Sequence, residues 1–244
     1  EEDEEYEDEY EDNFEDDDQY EDDGEEFDDE YEDEYEDDED DYDDEYEDEY
    51  DDEDENDEDE EIEEDDEKIE KIKKDVENIL QTLGMDLTDD SIKGTPNRVA
   101  KMFVKEIFGG LNPAKQPKAS TFDNNYKYGE MLVEKNITVY STCEHHLLPI
   151  IGRAHVAYIS NGRVIGLSKM NRIVEYYAKR PQVQERLTMQ IVQELQKALG
   201  TEDVACVIDA KHLCVNSRGI KDIESSTVTS EFGGKFKDPQ TKRE

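Results

Sequence analysis

The chain has 244 residues, 74 acidic against 27 basic, and its net charge of −47 falls almost entirely on one segment. Residues 1–60 hold 46 Asp and Glu and no Lys or Arg, which leaves 28 acids against 27 bases in the other 184 residues. No run approaches 18 apolar residues, no cleavable hydrophobic signal is seen, and three scattered cysteines do not make a disulfide framework. Neither a membrane nor a nucleic acid is expected as a partner, and a reducing, cytoplasmic location is favoured.

The acidic segment carries eight tyrosines and two phenylalanines in a loose repeat, with YEDEYED at 6 and 31 and YEDEYDD at 46. With no aliphatic residue, it cannot recover the entropy lost on ordering, so residues 1–61 are expected to be a disordered tail. A solvated bristle is the plain reading. A docking arm for a basic partner and a substrate for tyrosine modification are the sharper ones.

Residues 62–244 are enough for one domain, with a helical part over 62–110 and a catalytic part over 128–236. Ile62, Ile69, Ile72, Val76, Ile79, Leu80 and Leu83 recur at helical spacing and Gly84 supplies a stop. A second helix opens at Thr95-Pro96 and continues through Val99, Met102, Phe103 and Ile107 to Gly109-Gly110. Residues 111–127 read as a loop. From Met131 the period falls toward two, giving a strand over 131–139 and another over 153–159.

Asn161-Gly162 predicts a hairpin between 153–160 and 163–167. A helix then starts at Ser168, read as its N-cap, and another runs from about Val183 to Gly200. Strands over about 203–210 and 224–231 close the domain. Helices followed by antiparallel strands around a helical pair is an α+β pattern.

Three clusters carry chemistry. The stretch STCEHHLLP contains Cys143 and His146 at CxxH spacing with His145 between them, and His212-Leu213-Cys214 brings another imidazole and thiol 68 residues later. Thiolate and imidazole are ligands that zinc prefers. Because a strand alternates faces, CxxH ligation requires the chain to turn here. With Cys143, His146 and Cys214 as ligands the fourth position is left for water, a catalytic arrangement, and His145 and His212 remain as proton carriers. A structural four-ligand site, or plain buried Cys and His, fits the same residues. Cys206, inside the apolar VACVID, reads as a core thiol.

The second cluster is basic. Lys169 and Arg172 share the first turn of a helix, Arg98 and Lys101 lie three apart on another, and Arg218 follows Cys214 by four. Each alone reads as a solvated charge; beside a metal site they suggest a polyphosphate clamp. The third is Glu185 near a helix start, which either complements the helix dipole or accepts two hydrogen bonds from a ring N–H and an amino group, as guanine offers.

STCEHHLLP, followed by GRAHVAYI, VIGLSKMNRIVEYYAKRPQVQERLT, HLCVNSRG and SSTVTS, and preceded by TPNRVAKMF, resembles GTP cyclohydrolase I over about residues 65–236. The resemblance implies conversion of GTP and water to 7,8-dihydroneopterin triphosphate and formate, the opening step of folate- or biopterin-type pterin biosynthesis. It implies zinc on Cys143, His146 and Cys214, proton transfer by His145 and His212, and Ser168 as a further active-site residue. Lys169, Arg172 and Arg218 match triphosphate contacts, joined by Arg98 and Lys101 from a neighbouring subunit. Glu185, Gln184 and the backbone from Ile165 to Leu167 match the guanine pocket.

The implied architecture is the tunnelling fold, with strands from five subunits closing a barrel and two rings stacking into a homodecamer. Animal members meet a small feedback regulatory protein; the acidic tail departs from the family's usual extension. Glu144 is left without a role beyond an expected supporting contact.

Overall fold

The aliphatic periodicity of the N-terminal region belongs to α1, Glu55–Thr82, in a computed structural model that describes residues 55–238 and side chains from residue 64. The helix begins at Glu55 rather than near Ile62. Glutamate is a strong helix former, and carboxylates at a helix N-terminus complement its dipole, so the last acidic residues extend the helix instead of ending it. The rest of the acidic segment, and its expected lack of order, lies outside the described residues. Glu64–Lys68 and Glu67–Lys71 ion pairs at 2.7 Å line the exposed side of α1 one turn apart.

The second helix, α2, spans Thr95–Lys101 with Pro96 in its first turn and packs against α1. It does not remain α-helical to Ile107: Met102–Ile107 is a wider π-helical turn, with the Phe108 amide reaching back to Phe103 O at 2.9 Å. The segment read as loop contains β1, Thr121–Asp123.

The main sheet is built from β2 (Met131–Cys143), β3 (Pro149–Ile159), β5 (Pro181–Gln182), β6 (Val204–His212) and β7 (Thr227–Phe232), in the order β5-β2-β3-β6-β7. All its pairings are antiparallel except the short β5 beside β2. Beyond a β2 bulge between Glu134 and Ile137, where Asn136 takes a left-handed φ of 63°, Ile137 and Val139 turn inward.

The expected hairpin at Asn161-Gly162 is not what forms. The chain bends there, with Gly162 at φ 95°. However, β4 (Arg163–Ile165) leaves β3 and pairs antiparallel with β1. Arg163 secures the pairing by donating from Nε to Thr121 Oγ1 at 2.8 Å and from Nη2 to Thr121 O at 3.2 Å. The dipeptide specifies a turn, whereas the partner of the outgoing strand is decided by contacts 42 residues away.

Helices α3 (Leu167–Ala178) and α4 (Gln184–Leu199) lie on one face of the sheet. Their apolar stripes, Met170, Ile173 and Val174 on α3 and Leu187, Ile191, Leu195 and Leu199 on α4, close over Val139, Val156, Cys206 and Ile208. Each such aliphatic side chain contributes about 1.5–3 kcal/mol by leaving water. The N-cap of α3 is Gly166 and not Ser168, which lies within the first turn and makes no capping bond. Gly200, at φ 63°, ends α4 in the left-handed conformation as expected. Strands that pair antiparallel and helices segregated to one face make this an α+β fold. Among the described residues no helix is long and apolar enough to cross a membrane.

Candidate metal centre and its surroundings

The turn required by CxxH ligation is present where β2 ends. The Cys143 amide donates to Leu148 O at 2.8 Å and the Leu147 amide donates to Cys143 O at 2.8 Å, with Leu147 at φ 52°. The loop folds both imidazoles back toward the thiol: Cys143 Sγ lies 3.7 Å from His145 Nδ1 and 4.0 Å from His146 Nδ1.

Strand register brings the distant half. Ile150, at the start of β3, sits opposite Ser141 on β2 and His212 on β6, so the ends of β2 and β6 flank the same strand. After His212 the chain enters α5 (Leu213–Asn216), whose first turn carries Cys214. The ligand atoms of Cys143, His146 and Cys214 lie within 4.8 Å of one another. His145, although nearer to Cys143, is not a member of this group.

Burial, then hydrogen bonding to Cys143, raises the pKa of the Cys214 thiol, while the Arg218 guanidinium acts in the opposite direction. Arg218 therefore stands close enough for its charge to be felt at the centre. Cys206 is a core thiol pushed up to about 12 by burial and takes no part.

The first turn of α4 borders the centre. Burial lowers the pKa of His212, and the Glu185 carboxylate opposes that shift, which places the expected guanine acceptor beside the expected proton carrier. Gln184 is 1% exposed and its side chain reaches His212, β6 and β7 rather than the surface. Glu144 finds the supporting contact left open by the sequence: its Oε2 receives Arg186 Nη1 at 2.7 Å, and that bond lowers its pKa. Its amide donates to Gln182 O at 3.0 Å, so the loop is tied to α4 through a side chain and to β5 through the backbone.

The first turn of α3 supplies an exposed Ser168 and a half-buried Lys169, and the next turn an exposed Arg172, close in sequence to buried Ile165 and half-exposed Leu167. Arg172 also lines a separate cavity of about 280 Å³ with Lys105, Lys115 and Lys179. Arg98 donates to Thr95 Oγ1 at 2.9 Å within α2 and to Ser91 O at 3.3 Å in the segment before it. Among the described residues neither it nor Lys101 is gathered around Cys143.

Two elements escaped the sequence reading: the Glu144–Arg186 tie and the burial of Gln184. The second had a signal, since Gln184 falls on the stripe of Leu187, Thr188 and Ile191 that faces the core.

A family profile described as GTP cyclohydrolase I matches residues 72–244. The chain is 99% identical over 176 residues to GTP cyclohydrolase 1 of Flavobacterium johnsoniae, spanning 72% of this chain and 79% of that protein. It is 54% identical over 176 residues to GTP cyclohydrolase 1 of Aeromonas salmonicida and 55% identical over 176 residues to that of Vibrio cholerae, spanning 72% of this chain and 81% of each relative. The solved apo form of an archaeosine synthase QueF-Like aligns with a TM-score of 0.36 and 16% identity, over 43% of this chain and 93% of that chain, a likeness too slight to bear on the fold. A profile that spans the α3–α4 core and the whole Cys-His-Cys cluster, together with these relatives, shows that the chain belongs to the GTP cyclohydrolase I family of enzymes.

Proposed function

We propose that this chain hydrolyses the guanine ring of GTP at C8, yielding 7,8-dihydroneopterin triphosphate and formate, with zinc held by Cys143, His146 and Cys214. The observation that carries the reading is the convergence of two sulfurs and one imidazole nitrogen within 4.8 Å, with two further histidines beside them. Two sulfurs and a nitrogen suit zinc, and three protein ligands leave a position for water or substrate. Bound there, zinc would supply Lewis acidity and bring the pKa of water close to neutral.

The chain's own residues do the rest. His145 and His212 carry protons to and from the ring as it opens. Glu185 accepts the guanine ring N–H and amino group, against the backbone of 165–167 and with Ser168 alongside. Lys169, Arg172 and Arg218 hold the triphosphate, joined by Arg98 and Lys101 from a neighbouring subunit of a tunnelling-fold homodecamer. The local bonding of Arg98 within α2 is compatible with a residue presented to another subunit. The product feeds a folate- or biopterin-type pterin pathway.

Zinc content and formate release from GTP, measured on the same samples, test this. Cys143→Ser and Cys214→Ser are expected to lose zinc and turnover together, whereas His145→Ala keeps zinc and loses formate release. Undiminished turnover by zinc-free protein refutes the proposal.

A further inference from the structure

We propose that Gln184 is a positioning residue that holds the His212 imidazole as the tautomer protonated on Nε2. The direction of every hydrogen bond around the amide follows from groups that have no choice. Gln184 Nε2 lies 3.0 Å from Ile208 O and 2.8 Å from Thr227 O. Backbone carbonyls only accept, so the NH2 end of the amide must face them. Flipping the amide would set its oxygen against two carbonyl oxygens in a buried site.

The neighbouring hydroxyls agree. Thr188 Oγ1 donates its single proton to Gln184 O at 2.8 Å. In its 2.7 Å contact with Thr229 Oγ1 it can therefore only accept. Thr229 then donates to Thr188 and keeps a lone pair for Gln184 Nε2, 3.1 Å away. With the nitrogen committed, Gln184 Oε1 is the atom that meets His212 Nε2, at 2.8 Å. An amide oxygen accepts, so a proton sits on Nε2, and in the neutral ring the lone pair is left on Nδ1.

The anchoring also fixes the ring in space. Gln184 stands on α4, Ile208 on β6, and Thr227 and Thr229 on β7, so three elements hold the amide that holds the histidine. This arrangement separates Gln184 from the guanine pocket. Both ends of its amide are taken up inside the chain, and recognition of the base falls to its neighbour Glu185.

The inference rests on His212 being a proton carrier, and the test separates the two ideas. Nitrogen NMR of histidine-labelled full-length protein, with His212 assigned by its loss in His212→Ala, reads the tautomer without any turnover. A proton on Nε2 is expected, and a proton on Nδ1 overturns the inference whatever the enzyme does with GTP. Kinetics then read the consequence. Gln184→Met, similar in size but unable to accept, is expected to lower kcat by about 10–100-fold, with KM for GTP changed less than about threefold. A raised KM with kcat intact returns Gln184 to the guanine pocket, and a kcat unchanged in Gln184→Met removes the positioning role. If Gln184→Met fails to fold, the tautomer in the unsubstituted protein decides.

Discussion

The first two turns of α3 present Lys169 and Arg172, which hold no ion pair among the described residues, whereas the first turn of α4 has Gln184 and Arg186 bound into the surrounding structure. Both helix starts have free amides and a positive dipole end, yet their side chains differ in kind. At α3 the two cations make no such bond among the described residues, as the proposed triphosphate contact requires. At α4 the polar groups are spent on His212 and on the metal loop, leaving Glu185 to face outward. Under the proposed function one end attracts an anion and the other holds reacting groups still, and the two demands call for opposite treatment of the same backbone geometry.

Substitutions that separate geometry from attraction sharpen the contrast. The largest expected effect is at the α4 side: His212→Ala should lower kcat by about 10²–10⁴-fold, with zinc content unchanged. Next is the packing that holds the α4 start in place. Leu187→Ala, at a fully buried position three residues beyond Gln184, should cost about 2–5 kcal/mol of stability, read as a lowered midpoint in denaturant. On the α3 side, Lys169→Met or Arg172→Met should raise KM for GTP by about tenfold, with kcat little changed. That penalty should shrink as salt is added, because exposed charges are screened. If the α3 variants lower kcat as strongly as His212→Ala, the division of labour between the helix starts is wrong.

Residue type made a candidate metal site legible, because thiols and imidazoles crowd into few positions and a CxxH pair demands a turn; spacing left open which histidine belongs to it, the family resemblance favours His146, and Cys143, His146 and Cys214 are the group whose ligand atoms converge. The α+β class and the cores of α3 and α4 were equally readable from periodicity. Illegible features depended on partners far along the chain. The strand β4 follows a strong turn signal but pairs with β1, since Thr121 offers Arg163 what β3 does not. Ser168 is a good capping residue two positions too late, because the chain enters α3 at Gly166. The burial of Gln184 is the third such feature, at a position the family resemblance assigns to the guanine pocket beside Glu185. A helix, however, sends adjacent residues to different faces, and its face is the one that meets β6 and β7.

The smallest expected effect tests whether the two helices are also joined at their far ends. Tyr177 of α3 donates its hydroxyl to Glu194 Oε2 of α4 at 3.0 Å, and Gln116 Nε2 donates to the other carboxylate oxygen at 3.2 Å. Burial, followed by the hydrogen bond to Glu194, pushes the Tyr177 phenol up to about 12, while the Arg180 guanidinium, 4.6 Å from the ring centroid, favours the phenolate. A group whose pKa is raised on folding stabilises the folded state fully below its unfolded value and loses that contribution as pH climbs through the folded one. For Tyr177 the window lies between the ordinary 10.0 and about 12. Tyr177→Phe keeps the ring under Arg180 and removes only the hydroxyl, so it should cost about 1 kcal/mol at neutral pH. Its deficit against the unsubstituted protein should then narrow across that alkaline window, as the unsubstituted protein alone loses its bond. Thermal melts at stepped alkaline pH measure this, and a deficit that stays constant across the window would mean that the Tyr177–Glu194 bond does not link the two helices energetically.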